Sequence, residues 1–113
     1  DRLKDMVKSG GENVPSLKVE EVLLRHPAVL NAAVVGLPHD HWGEAITAFV
    51  TRRPDAPAEL TVADLTAHCR EHLGGFEVPK EIVFLAALPM TSTGKIQKFE
   101  LRQAHQGYYQ QRN

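Results

Sequence analysis

The run Pro89-Met90-Thr91-Ser92-Thr93-Gly94-Lys95-Ile96-Gln97-Lys98 sets a lysine directly after a glycine, among hydroxyl side chains, with a second lysine three residues on. Such a loop can aim one mobile cation at a phosphate. The glycine lets backbone approach closely, and the Thr and Ser hydroxyls add donors. The same ten residues also read as a flexible basic surface turn.

A rival chemistry comes from the histidines. His68 and His72 stand four apart on one helix face, a spacing that can bind zinc, and His39 and His41 flank Asp40 in a loop. Two ligands do not complete a structural zinc site, so a solvated histidine face is the simpler reading and no metal site is assigned. The single Cys69 falls at an apolar helical position and suits a core thiol in a reducing compartment.

These residues need a scaffold, and the composition supplies one. The 113 residues suffice for one domain; 42% are hydrophobic, 24% charged, and the formal net charge is −1. That balance gives no global attraction to nucleic acid. No apolar run approaches the roughly 18 residues of a membrane span. With no signal peptide visible, a cytoplasmic setting is expected. The abrupt charged start, Asp1-Arg2-Leu3-Lys4-Asp5, reads as a piece of a longer protein.

Along the chain, residues 6–14 predict a β-hairpin or sharp loop around Gly10-Gly11, a pair that suits a turn needing positive φ. Ser16 is a cap candidate for a helix to about Arg25, stopped by Pro27. Residues 32–36 and 45–51 predict strands, the second with Ile46, Ala48 and Val50 on one face and Thr47, Phe49 and Thr51 on the other. A polar connection, residues 39–44, joins them. Thr61 with Asp64 resembles a capping box, starting a helix with Val62, Leu65, Cys69 and Leu73 inward and Gly74-Gly75 at its end. Residues 81–85 predict a third strand and residues 98–106 a last helix with basic positions at Lys98 and Arg102. The fold class is α+β: a small sheet of about three strands with packed helices, plus an N-terminal β-hairpin.

The two ends together resemble one family. Asp1-Arg2-Leu3-Lys4-Asp5 followed by Lys8-Ser9-Gly10-Gly11-Glu12-Asn13 looks like the entry to the C-terminal domain of adenylate-forming enzymes: acyl-CoA synthetases, peptide-synthetase adenylation domains and firefly luciferase. Residues 89–98 look like that family's terminal Pro-x-x-x-x-Gly-Lys motif. Between them His26-Pro27-Ala28-Val29, Ala33-Val34-Val35-Gly36, Trp42-Gly43-Glu44 and Ala48-Phe49-Val50 are similar words in the same order. Within the family the chain is most similar to AMP-forming ligases of short, medium and aromatic acids.

The resemblance implies that residues 1–113 are a mobile C-terminal domain, inactive alone, whose partner is its own large N-terminal domain. The reaction it implies joins a carboxylic acid to coenzyme A with ATP and Mg2+, the metal and most of the ATP being held by that N-terminal domain. Lys95 is then the adenylation lysine, meeting a carboxylate and the α-phosphate together. Two unit charges about 4 Å apart interact by roughly 4 kcal/mol at an effective dielectric near 20. Arg2 is implied as a ribose or phosphate contact, though an ion pair with Asp1 or Asp5 fits the residues as well. Lys4 is the implied hinge within residues 1–5, where backbone rotation is the requirement. Ser9, Gly10 and Gly11 would lie along the CoA channel, with Lys80 near its phosphates. Glu77 departs from the family, which often has lysine there. The resemblance also implies a lysine acetyltransferase and deacetylase acting on Lys95. Alternatives are a domain that loads a carrier protein, or a non-catalytic module retaining the fold.

Overall fold

The computed structural model describes residues 6–57 and 59–109. Arg2 and Lys4 lie outside the described residues. The chain opens with a hairpin, β1 (Met6–Ser9) and β2 (Glu12–Pro15), followed by α1 (Ser16–Leu24). The long strands β3 (Val29–His39) and β4 (Gly43–Arg52) come next, then α2 (Val62–His72), a 3-10 turn (Gly75–Glu77), β5 (Glu81–Phe84) and α3 (Lys98–Ala104).

All five strands join one sheet, so the hairpin is not a separate appendage. β3 and β4 pair antiparallel from Val29↔Arg52 to His39↔Gly43. The other edge of β4 is shared. Its first residue meets β1 at Ser9↔Gly43, and Thr47 to Val50 pair with β5 in parallel. A parallel neighbour needs a crossover, which α2 provides between β4 and β5. β3 and β4 run several residues beyond the predicted strands, leaving only residues 40–42 as the turn between them.

The predicted alternation of β4 holds. Ile46, Ala48 and Val50 enter a core with Val19, Leu23, Leu65 and Cys69, on the side of α1 and α2. Phe49 enters a second core with Ala33, Val35, Leu37, Leu88 and Leu101, closed by α3 and by Tyr108 and Tyr109. A sheet covered on both faces explains why β3 and β4 are so uniformly apolar.

Several local expectations shift. Thr61 and Asp64 do form a reciprocal capping box. Val62, however, is 39% exposed and leaves the inward face to Leu65, Cys69 and Leu73. Ser16 does not cap α1: Pro15 takes that position with φ −68°, and the buried Ser16 hydroxyl is used elsewhere. Leu73 in extended conformation ends α2, and Gly75 begins the following turn. Lys98 is a core residue, only 4% exposed, not a basic surface position.

Candidate functional site

Two regions at the rim of the sheet carry the candidate residues. The first is the Lys95 turn, between β5 and α3. Met90 and Ile96 pair as an antiparallel bridge, and Gln97 N–H donates to Pro89 O at 2.8 Å, closing the base. Inside it, Thr91 N–H donates to Lys95 O at 2.8 Å and Gly94 N–H to Thr91 O at 2.9 Å. The Thr91 hydroxyl accepts from Lys95 N–H at 3.0 Å and meets Thr93 Oγ1 at 3.0 Å. Gly94 has φ +87°, the left-handed region that lets the chain reverse without a Cβ penalty. The Thr91 and Thr93 hydroxyls are therefore spent on building the turn, and the exposed Lys95 side chain is what it presents.

The turn borders an open cleft of roughly 680 Å³ shared with Met6, Gly36, Glu44, Phe99 and Arg102. Glu44 is oriented there by Lys8 N–H, which donates to its Oε1 at 2.9 Å. Met6, directly after the segment that contains Arg2 and Lys4, lines the same cleft as Lys95. Met6 and Phe99 are exposed apolar side chains at its border.

The second region gathers Ser9, Gly10 and Lys80 around Trp42. Gly10 (φ +59°) and Gly11 (φ +86°) form the two-residue turn of the β1–β2 hairpin, in the conformation that suits strand twist. Gly10 N–H donates to Trp42 O at 2.9 Å. A Cβ on Gly10 would stand 2.9 Å from Trp42 Cε3, so the indole lies directly on the glycine. The Lys80 ammonium sits 4.0 Å from the centroid of the same indole, a cation–π contact. His41 packs edge-on to Trp42 at 4.6 Å. His39 Nδ1 accepts from the N–H groups of His41 and Trp42, fixing the turn. Lys80 also borders a smaller cleft of about 410 Å³ with Arg70.

Glu77, the departure from the family pattern, is committed to the structure. It is buried, pairs with Lys18 of α1 at 2.8 Å and accepts from Gly74 N–H at 2.9 Å. The Lys18 hydrogen bond holds its carboxyl below the usual range, against the opposing effect of burial. The histidines of α2 are likewise engaged: His68 Nε2 is 2.7 Å from Val22 O and His72 Nδ1 is 3.0 Å from His68 O. Among the described residues no group of three His, Cys, Asp or Glu converges to hold a metal. No helix of the described residues is long and apolar enough to cross a membrane. Sequence alone gives Trp42 no role beyond its place in the family-like word Trp42-Gly43-Glu44.

These features define a class: a small α+β domain whose candidate residues line open clefts at its rim. The chain belongs to the AMP-binding enzyme C-terminal domain family, which it matches over residues 18–95. It is 48% identical over 103 residues to a peroxisomal trans-cinnamate:CoA ligase of Petunia hybrida, covering 91% of this chain and 18% of that protein. It is 46% identical over 105 residues to acetate–CoA ligase CCL3 of Humulus lupulus, covering 90% and 18%. The fold superposes on a fatty acyl CoA synthetase of Mycobacterium tuberculosis with a TM-score of 0.86 and 38% identity, over 96% of this chain and 21% of that one. The chain thus spans about a fifth of the length of the relatives it matches. The α+β expectation and the family resemblance both stand.

Proposed function

We propose that this chain works as the C-terminal domain of an ATP-dependent carboxylic acid–CoA ligase. In the first half-reaction a carboxylate oxygen attacks the α-phosphorus of ATP and pyrophosphate leaves. In the second, the CoA sulfur attacks the acyl carbonyl and AMP leaves. Mg2+ would accompany the triphosphate and be held, with most of the ATP, by the preceding N-terminal domain. The observation that carries the reading is the Lys95 turn: a self-bonded, exposed platform delivering one cation beside an open cleft, in a chain of this family. An anionic nucleophile meeting an anionic phosphate requires such a charge, and a flexible lysine stem suits a group that arrives and leaves.

Ser9, Gly10 and Gly11, with Trp42 and Lys80, form the surface we assign to CoA. The indole covers Gly10, but a Cβ on Gly11 would meet nothing within 4 Å, so Gly11 leaves backbone open to a thin chain, and Lys80 supplies charge for phosphate. Arg2 would contact the nucleotide, and Lys4 would be the hinge that exchanges the two regions at one active site. The acid is a different matter. Relatives of nearly equal identity are named for cinnamate and for acetate, so the acid is chosen outside this domain. These names also favour coenzyme A over a carrier protein as acceptor. The exposed Lys95 is accessible to a lysine acetyltransferase, which would silence it by removing its charge, and to a deacetylase. The buried Cys69 thiol, pushed up to about 11 by burial, is compatible with a reducing compartment such as the cytoplasm.

The test uses the full-length ligase. Lys95→Ala is expected to lower acyl-AMP formation by about 10²–10³-fold, the scale for losing one preorganised electrostatic contact. Thioester formation from supplied acyl-AMP should be retained. Equal loss in both halves would sink the role given to Lys95.

A further inference from the structure

Three residues beyond Lys95, the chain buries a charge. Lys98 is the first residue of α3, and its ammonium lies 2.7 Å from Glu20 Oε2 on α1, with side chains 3% and 11% exposed. The ammonium also donates to Ser16 Oγ at 3.1 Å, and the same Glu20 oxygen accepts Val34 N–H from β3 at 2.8 Å. One buried node therefore ties α3, α1 and β3 together. Its chemistry is an unlikely choice for stability alone. Desolvating two charges costs as much as the pair returns, and well-packed apolar residues commonly do as well. A lysine at a helix N-terminus also opposes the helix dipole. What such a pair supplies over an apolar contact is direction: a hydrogen-bonded ammonium has one register, whereas two methylene stems can slide.

The neighbouring turn makes that direction useful. Residues 91–95 are bonded to one another, so the turn moves as a unit on its two roots. One root is Leu88, buried in the second core; the other is Lys98. Leu88 fixes depth, and the Lys98–Glu20 bond fixes rotation about it. We infer that Glu20 and Lys98 are a positioning pair that sets the pose from which Lys95 reaches the reacting phosphate. The inference rests on the adenylating role given to Lys95 above. Neither residue needs to touch substrate.

The experiment is a set of variants in the full-length ligase, each assayed for both half-reactions and for thermal unfolding. The double variant Glu20→Gln/Lys98→Met removes both charges while the Gln carbonyl can still accept Val34 N–H, so the fold should hold. Misplacing a reacting group by about 1 Å can cost roughly a hundredfold. Acyl-AMP formation is accordingly expected to fall by about ten- to a hundredfold in kcat, with KM for ATP and acid within about twofold. Thioester formation from supplied acyl-AMP should be unchanged. Lys98→Arg keeps the charge with a different reach. It should fold normally and show an intermediate loss confined to adenylation, which keeps the inference testable if the double variant unfolds. A folded double variant or Lys98→Arg protein that adenylates at the parent rate would overturn the inference. So would a folded variant that loses both half-reactions equally. Lys95→Ala separates the two levels: if it spares adenylation, the underlying reading fails, whereas an inactive Lys95→Ala beside a fully active double variant removes the positioning pair alone.

Discussion

The Lys95 turn and the Trp42 surface are built on opposite plans. The turn is local: its closing bonds join residues no more than eight apart, and it presents one side chain. The Trp42 surface is assembled from the β1–β2 turn, the β3–β4 turn and the segment before β5, which meet only because β4 shares its edge between β1 and β5. A turn of the first kind can be carried as a unit to a target. A surface of the second kind is as rigid as the sheet beneath it, and suits holding an extended ligand in place. Helix α1 serves both: Lys18 reaches Glu77 near Lys80, and Glu20 reaches Lys98 near Lys95.

If the two regions serve different half-reactions, damage to them should separate. Lys95→Ala is the first arm of that cross. The complementary arm is Trp42→Ala in the full-length ligase, which removes the ring that Lys80 and Gly10 pack against. We expect KM for CoA to rise by about three- to tenfold, the scale of a partly exposed cation–π contact and the packing surface lost with it, with acyl-AMP formation within about twofold of the parent. Pyrophosphate release measured without CoA, beside thioester formation with it, gives both numbers. A Trp42→Ala enzyme impaired mainly in pyrophosphate release would break the division.

The contrast in construction also predicts stability. Gly94 and Gly10 both have positive φ, but a Cβ on Gly94 meets nothing within 4 Å, while one on Gly10 meets the indole at 2.9 Å. Gly94→Ala should cost only the backbone penalty, about 1–2 kcal/mol. Gly10→Ala adds overpacking against Trp42 and should cost about 2–4 kcal/mol in all. Chemical denaturation of the two variants of this domain checks the order. Equal losses would mean that the indole moves freely off the glycine.

The same division explains what could be read from the chain beforehand. The Lys95 turn, the capping box of α2 and the alternation of β4 were legible because each depends on neighbours in sequence. Trp42 was not, since its partners Gly10 and Lys80 lie 32 and 38 residues away and only pairing across β4 brings them together. The burial of Lys98 was not legible for a related reason. A lysine in a helical first turn belongs at the surface unless a counter-charge waits for it, and Glu20 lies 78 residues earlier. The hairpin joins the sheet through one register pair, Ser9↔Gly43, supported by Gly10 N–H to Trp42 O and Lys8 N–H to Glu44 Oε1, none of which a local pattern announces.

The smallest expected effect compares the two ion pairs of α1. Lys18 is 52% exposed whereas Lys98 is 3% exposed, so water and salt screen the Glu77 pair and not the Glu20 pair. Glu77 has its folded-state pKa lowered from 4.5, chiefly by the Lys18 hydrogen bond. A depressed carboxylate contributes stability that is present above its unfolded pKa and is lost as pH falls through the folded one. The domain should therefore lose melting temperature below about pH 4.5, and Glu77→Gln should flatten part of that slope. At neutral pH the substitution should cost under about 1 kcal/mol, because half of the pair is solvated and Gln can still accept from Gly74. Added salt should shrink even that difference, while leaving the melting difference between Lys98→Met and the parent in place. If salt erased the Lys98 effect as well, the buried node would be open to water, and a directional anchor for Lys95 would need a drier site than this one.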